Sequence, residues 1–290
     1  MKNHRTFPQF SPPLVESIAQ VFILAHKEST ELLETALDRE GFTCEVLRQQ
    51  HQPEYRDYSR SYLCLLNHIQ AWQKATQIEN QTGQLTLIVE ADFVPVVGMG
   101  KLPLPCNPNQ PNLGITWLYT CAPQVYSVSP EGFAEGFSTS MVAYLVTPHT
   151  AQCLLDLAEE IRCKFGATTY TTWDSEIDSF LRDRHLKNYI PFRNYGEHGG
   201  RPNPEHRQNG LAAPHRADVL YGQLAFMPLY AIEQNKPNYF KYFSTRLYAR
   251  IKGMARLAMG KFLRLQVLRG SSVPDRLVRF TIRRQLWLGL

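Results

Sequence analysis

Residues 84–96 read QLTLIVEADFVPV. A largely apolar run, Leu85 to Val89, spells a short core strand. It leads straight into Glu90-Ala91-Asp92, after which apolar character resumes at Phe93. Carboxylates are costly to bury unless something pairs with them. Two of them, one residue apart at a strand's end, either dissolve into a solvated loop or converge on a shared ligand.

The segments upstream set the fold class. AQVFILAHK (19–27) reads as a buried strand over Val21 to Leu24, entering a polar loop. Ser29 can cap the helix that follows, with Leu32, Leu33, Ala36 and Leu37 inward and Gly41 as its stop. FTCEVLR (42–48) is a second strand. Tyr62, Leu65, Leu66, Ile69, Trp72 and Gln73 then fall on one helical face, closed by Gly83. Strand, helix, strand, helix, strand predicts an α/β layered fold with a mainly parallel sheet.

Downstream, KLPLPCNPNQPN (101–112) is a proline-punctuated loop, and GITWLYT (114–120) and SMVAYLVT (140–147) read as strands. Thr147-Pro148 opens a helix running to Gly166. A shorter helix is expected from Trp173 to Arg184. YGEHGGRPNPEHRQNGLAAPH (195–215) is loop chemistry. The expected division is an irregular lead-in over 1–19, an α/β domain over 20–216 and a basic amphipathic extension over 217–290.

The chain has 290 residues and a net charge of +5. That charge is uneven. Residues 241–290 hold twelve Lys or Arg against one acid, Asp275, so the other 240 residues carry a net −6. Six dispersed cysteines in no CxxC pair are expected to be reduced thiols of a cytoplasmic protein. No signal peptide and no membrane-spanning run is expected.

In open α/β sheets ligands bind at the carboxyl ends of strands, where Glu90 and Asp92 sit. Hard oxygen ligands suit Mg²⁺ or Mn²⁺ carrying a diphosphate. Position alone leaves the solvated-loop reading equally open.

The neighbourhood adds a resemblance. CLLNHIQAWQKA (64–75) followed by LTLIVEADFVPV (85–96) resembles the glycosyltransferases of family 25, which include lipooligosaccharide and collagen galactosyltransferases. Cys64, His68 and Trp72 match that family's helix, with Asn67 for its serine and Leu63 for its glycine. Glu90 and Asp92 match the outer acids of its triplet, and Ala91 replaces the middle one. VFILAHK, MVAYLVTPHTAQCLLD and WDSEIDSFL resemble further segments. The resemblance implies a GT-A fold, a UDP-sugar donor (commonly UDP-galactose), Mn²⁺ or Mg²⁺ held by Glu90 and Asp92, and inversion at the anomeric carbon. It implies a cell-surface glycan or a glycolipid of lipopolysaccharide type as acceptor. Ala25, His26 and Lys27 at the first strand's end, with His68 and Ala91, are the expected nucleotide contacts. The substitution at Ala91 keeps a second reading open, a non-catalytic glycan- or nucleotide-binding relative that scaffolds a membrane assembly.

Inverting transfer needs a general base. Asp174 and Asp178, four apart, would share a helical face. Asp178 is the better placed by its apolar neighbours, Asp174 could equally be an N-cap, and Glu197 is an outside candidate. His68 reads equally as a structural histidine and as a substrate contact, and Trp72 as core. His198, His206 and His215 fit no tight zinc spacing and read as loop residues. Gly196, Gly199 and Gly200 permit close backbone approach to a ligand.

Leu247, Ile251, Met254, Leu257 and Ala258, interleaved with Arg and Lys, make a basic amphipathic helix. Such helices lie on anionic membranes, and peripheral attachment to the inner membrane is one expectation. A helix packed back on the body is the other. Nucleic acid is not an expected partner of so acidic a body.

Overall fold

The computed structural model describes residues 11–78, 83–201 and 215–286. Its frame is an eight-stranded mixed sheet in the order β2-β1-β3-β8-β5-β9-β7-β6. The strands are β1 (Ile18–Ala25), β2 (Cys44–Arg48), β3 (Leu85–Glu90), β5 (Leu113–Trp117), β6 (Gln124–Val128), β7 (Ala134–Phe137), β8 (Ala143–Val146) and β9 (Lys187–Ile190). Strands β1, β2 and β3 are mutually parallel, and β5 and β9 run with them. Only β8 and β7 run the other way. The sheet is therefore mainly parallel by strand direction, and its helices cover both faces, as expected.

Alternation along the strands assigns the faces. Phe22, Leu24 and Ile88 point to one apolar cluster. It also holds Tyr62, Leu65 and Trp72 of α2 (Arg60–Thr76), Leu154 and Leu157 of α3 (Pro148–Phe165), and Ile177 and Leu181 of α4 (Ile177–Asp183). Val21, Ile23, Leu87 and Val89 point to the other cluster, with Leu33 and Leu37 of α1 (Glu31–Arg39). Glu90 shares the parity of Ile88, so its carboxylate falls on the α2 face.

The helix signals are satisfied locally. Thr147 caps α3 by accepting the Thr150 amide at 3.0 Å, Pro148 fills its first position, and Gly166 closes it at φ +71°. Ser59 caps α2 through the Tyr62 amide at 3.2 Å. Several expectations need correction. Strand β1 begins at Ile18, inside the proposed lead-in, after a helical turn over Leu14–Ser17. Leu32 is exposed, not inward, and the N-cap of α1 is Thr30, not Ser29. The stretch SPEGFAEGFS (129–138), between the two strands expected at 114–120 and 140–147, contains β7 and follows β6. The expected helix from Trp173 splits into a 3-10 turn over Trp173–Ser175 and the short α4.

The basic C-terminal region does not stand apart as an extension. Helix α5 (Tyr239–Ala258), helix α6 (Leu265–Gly270) and helix α7 (Pro274–Leu286) follow the sheet. Phe262, Leu277 and Phe280 belong to the first apolar cluster. Arg246 pairs with the buried Glu197, and Arg284, fully buried, pairs with Asp218. A run of cations reads as solvated when its acidic partners lie far away in sequence. Here they lie 49 and 66 residues upstream. Among the described residues no helix is long and apolar enough to cross a membrane.

Candidate functional site

Glu90 ends β3 and Asp92 follows it in a turn. The chain then re-enters as β4 (Phe93–Pro95), which pairs antiparallel with β10 (Gly196–His198), setting His198 opposite Phe93. This ribbon brings His198 Nε2 to 3.0 Å from Asp92 Oδ2. One donor atom each from Glu90, Asp92 and His198 lie within 4.8 Å of one another. The two carboxylates therefore converge, and a histidine joins them.

Gly200 makes the approach possible. A β-carbon there would overlap Asp92 Oδ2, and one on Gly199 would fall 2.9 Å from the Asp92 carbonyl. The Gly199 amide donates to that carbonyl at 2.7 Å. Arg216 clamps the same turn, donating to the carbonyls of His198 at 2.5 Å and Gly200 at 2.8 Å.

A second chain of bonds orients Glu90. Trp72 Nε1–H donates to the Tyr144 hydroxyl at 2.8 Å, and that hydroxyl lies 2.8 Å from His68 Nδ1. With one lone pair of Tyr144 committed, its proton is best given to Nδ1. The His68 proton then sits on Nε2, which donates to Glu90 Oε1 at 3.3 Å. Rings of Trp72 and Trp173 enclose His68, which is fully buried. The expectation that His68 touches the nucleotide is therefore corrected: it positions Glu90 from behind. Trp72 is core.

The electrostatics distinguish two overlapping groups of ligating side chains. Cys64, His68 and Glu90 form one, but burial, then the Glu90 charge, pushes the Cys64 thiol well above its ordinary range. A protonated thiol and a committed Nε2–H are poor ligands. In the Glu90–Asp92–His198 group, burial draws the imidazole down, but the Asp92 charge and hydrogen bond overcome it and push His198 up to about 9. Burial would raise Asp92, yet His198 outweighs that and holds it below its ordinary value. Asp92 Oδ1 is buried and, among the described residues, has no hydrogen-bond partner. An orphaned carboxylate oxygen beside a second carboxylate and an imidazole suits a divalent cation, whose binding would release the His198 proton.

Asp174 and Asp178 part company. Asp174 lies on the 3-10 turn beside Trp173, whose indole N–H donates to the Ser61 carbonyl at 3.1 Å. It caps no helix with its side chain. Burial, offset in part by the Ser175 amide and reinforced by the charge of Glu90, pushes Asp174 up to about 7. Asp178 is buried on α4. It accepts from Tyr126 Oη at 2.8 Å and Asn188 Nδ2 at 2.9 Å, with Arg182 at 3.6 Å. Asn188 in turn receives the Ile115 amide, near the starts of β5 and β9. Glu90 is at the opposite end of the parallel strands. The preference for Asp178 over Asp174 is thus reversed. Glu197, fully buried against Arg246 and the Ala217 amide, is equally committed to structure.

Ala25 is buried at the end of β1, and His26 and Lys27 are exposed beyond it. Their amides donate to the carboxylate of Glu28 at 3.1 and 2.9 Å, so this corner already cradles an anion. Ala91 packs against the cluster on the face away from Glu90, so the acids converge without it. Among the histidines, His198 belongs to the site, His215 accepts the Tyr119 hydroxyl at its backbone carbonyl, and His206 lies outside the described residues. A cleft of about 1290 Å³ adjoins the site through Arg216, with Arg201, Tyr230, Tyr239, Lys241 and Tyr248 among its walls. Glu90 and Asp92 do not line it.

No family model and no curated relative matches the chain. Among solved structures it is similar to a glycosyltransferase involved in the glycosylation of the major capsid of PBCV-1, with a TM-score of 0.40 and 12% identity over 59% of this chain and 80% of that one. It is also similar to Drosophila beta-1,4-galactosyltransferase 7, a mutant complexed with manganese, UDP-Gal and xylobiose, with a TM-score of 0.35 and 13% identity over 65% and 73% of the two chains. Overlaps this loose say nothing of what this chain does.

Proposed function

We propose that the protein is a metal-dependent inverting glycosyltransferase of the family 25 type. It would move a sugar, galactose for preference, from a UDP-sugar to a cell-surface glycan or glycolipid. The observation that carries this reading is the convergence of Glu90, Asp92 and His198, with Asp92 Oδ1 buried and, among the described residues, without a hydrogen-bond partner.

Glu90, Asp92 and His198 would hold Mn²⁺ or Mg²⁺, which when bound neutralises the charge of a diphosphate leaving group. The corner at Ala25, His26 and Lys27 takes the nucleotide, whose polar groups replace the Glu28 carboxylate on the two amides. Arg216 and Arg201 present cations along the adjoining cleft. Asp174, with its raised pKa, accepts the proton of the acceptor hydroxyl. The freed oxygen bonds to the anomeric carbon from the face opposite the diphosphate, the bond to the diphosphate oxygen breaks, and the configuration inverts. His68, Tyr144 and Trp72 keep Glu90 aimed.

The direct test is turnover of UDP-galactose with and without Mn²⁺, for the parent and Asp92→Ala. Activity indifferent to both would remove the metal role. UDP binding that tightens with Mn²⁺ but never leads to turnover would indicate the non-catalytic relative instead.

A further inference from the structure

Helix α5 is attached to the body by its smallest residues and shows solvent its largest. Ala249 and Gly253 face inward, and a β-carbon on Gly253 would meet the Asp218 β-carbon at 2.8 Å. Arg246, Arg250 and Arg256 also turn toward the body, reaching Glu197, Gln285 and the Ala122 carbonyl. The opposite face carries Phe240, Phe243, Leu247 and Ile251, exposed by 84, 64, 62 and 57%. Met254 continues the stripe, and Met259 and Leu265 beyond the helix are exposed as well. Positions 240, 243, 247, 251 and 254 form one narrow stripe about 21 Å long at the usual helical rise. An ordinary surface helix turns its apolar stripe to the core; this one does the reverse.

Charge says what covers the stripe. From Gln234 to Pro274 the chain has no Asp or Glu. With three arginines turned inward, Lys261, Arg264 and Arg269 stay exposed just past the end of the helix, and Lys241 pairs with Glu233. Aromatic and aliphatic side chains bordered by cations, with no anion among them, complement the headgroup layer of an anionic bilayer.

We propose that the outward face of α5 docks on an anionic lipid surface, burying Phe240, Phe243, Leu247 and Ile251 at the acyl boundary. The proposal is independent of the metal site. Because Tyr239, Lys241 and Tyr248 of the same helix line the large cleft, docking sets the cleft's mouth beside the headgroups.

Flotation of the full chain with phosphatidylcholine vesicles, with and without phosphatidylglycerol, tests this. Binding is expected to require phosphatidylglycerol and to weaken as salt rises. Phe240→Ser with Phe243→Ser should weaken it at least about tenfold, and Lys261→Gln or Arg264→Gln about fivefold each. These side chains face solvent, so circular dichroism and melting should be unchanged. Equal binding to neutral vesicles, or the double variant binding like the parent, overturns the proposal. So does a dimer, by light scattering, that the double variant turns into monomer, since the face would then belong to a second copy.

Discussion

Gly200 stands against Asp92 so closely that no side chain fits between them, although 108 positions separate the two in the chain. The carboxylate accepts from His198 on the same turn at 3.0 Å. Gly200→Ala should push the ribbon off Asp92, costing about 1–3 kcal/mol of stability as overpacking does. Mn²⁺ binding measured by calorimetry should fall with it, more steeply than for Gly222→Ala, whose β-carbon would meet only the Val97 carbonyl, at 3.9 Å.

Asp174 makes a pH prediction. Its carboxyl holds a proton up to about 7 in the folded chain against an ordinary value of 3.8. Between those values the folded state binds more protons than the unfolded one, so this group subtracts stability as pH climbs from about 4 to 7. As the base it must be ionised, so kcat/KM should rise through a limb near pH 7. Asp174→Asn should abolish that limb and reduce kcat by about a hundredfold or more. Asp178→Asn should lower Tm through its bonds to Tyr126 and Asn188 and leave the limb in place.

The bonds behind Glu90 should be felt at the metal. Tyr144→Phe leaves the Trp72 N–H and His68 Nδ1 without their shared hydroxyl, in a fully buried place. A loss of about 1–3 kcal/mol in denaturant unfolding is expected. Affinity for Mn²⁺ should drop about 10- to 100-fold, as when the outer support of a metal ligand is removed. An unchanged affinity would show that Glu90 needs no positioning.

Arg284 tests the unity of the chain. It is fully buried against Asp218, with the Thr120 hydroxyl at 3.2 Å. Arg284→Met strands the Asp218 charge and should destabilise the whole protein by about 3–5 kcal/mol. Pairing it with Asp218→Leu should recover much of the loss. A tail that melts separately in calorimetry, leaving the sheet's transition untouched, would contradict the shared core.

Local physics made much of this legible in the sequence. The apolar run ending at Glu90, the Thr147-Pro148 start of α3 and the Gly166 stop are decided within a few residues. So is the parity that sends Glu90 toward α2. Strands as short as β6 and β7 carry too little alternation to be legible locally. His198, Arg216, Glu197 and Asp218 gain their roles from contacts spanning tens to more than a hundred residues. The glycines at 199 and 200 were the one sequence trace of His198's position, marking where backbone comes close. The choice between Asp174 and Asp178 depended on which end of the sheet each reached, and on burial beside another carboxylate. The direction of α5's stripe was likewise undecidable from periodicity, which locates an apolar face but not what lies opposite it. The sequence by itself determined the longer elements and most of the faces they turn inward, because those follow from short-range periodicity and capping. Only the tertiary structure decided the site and the outer surface, because ligands, charges and ribbon partners meet through long-range packing.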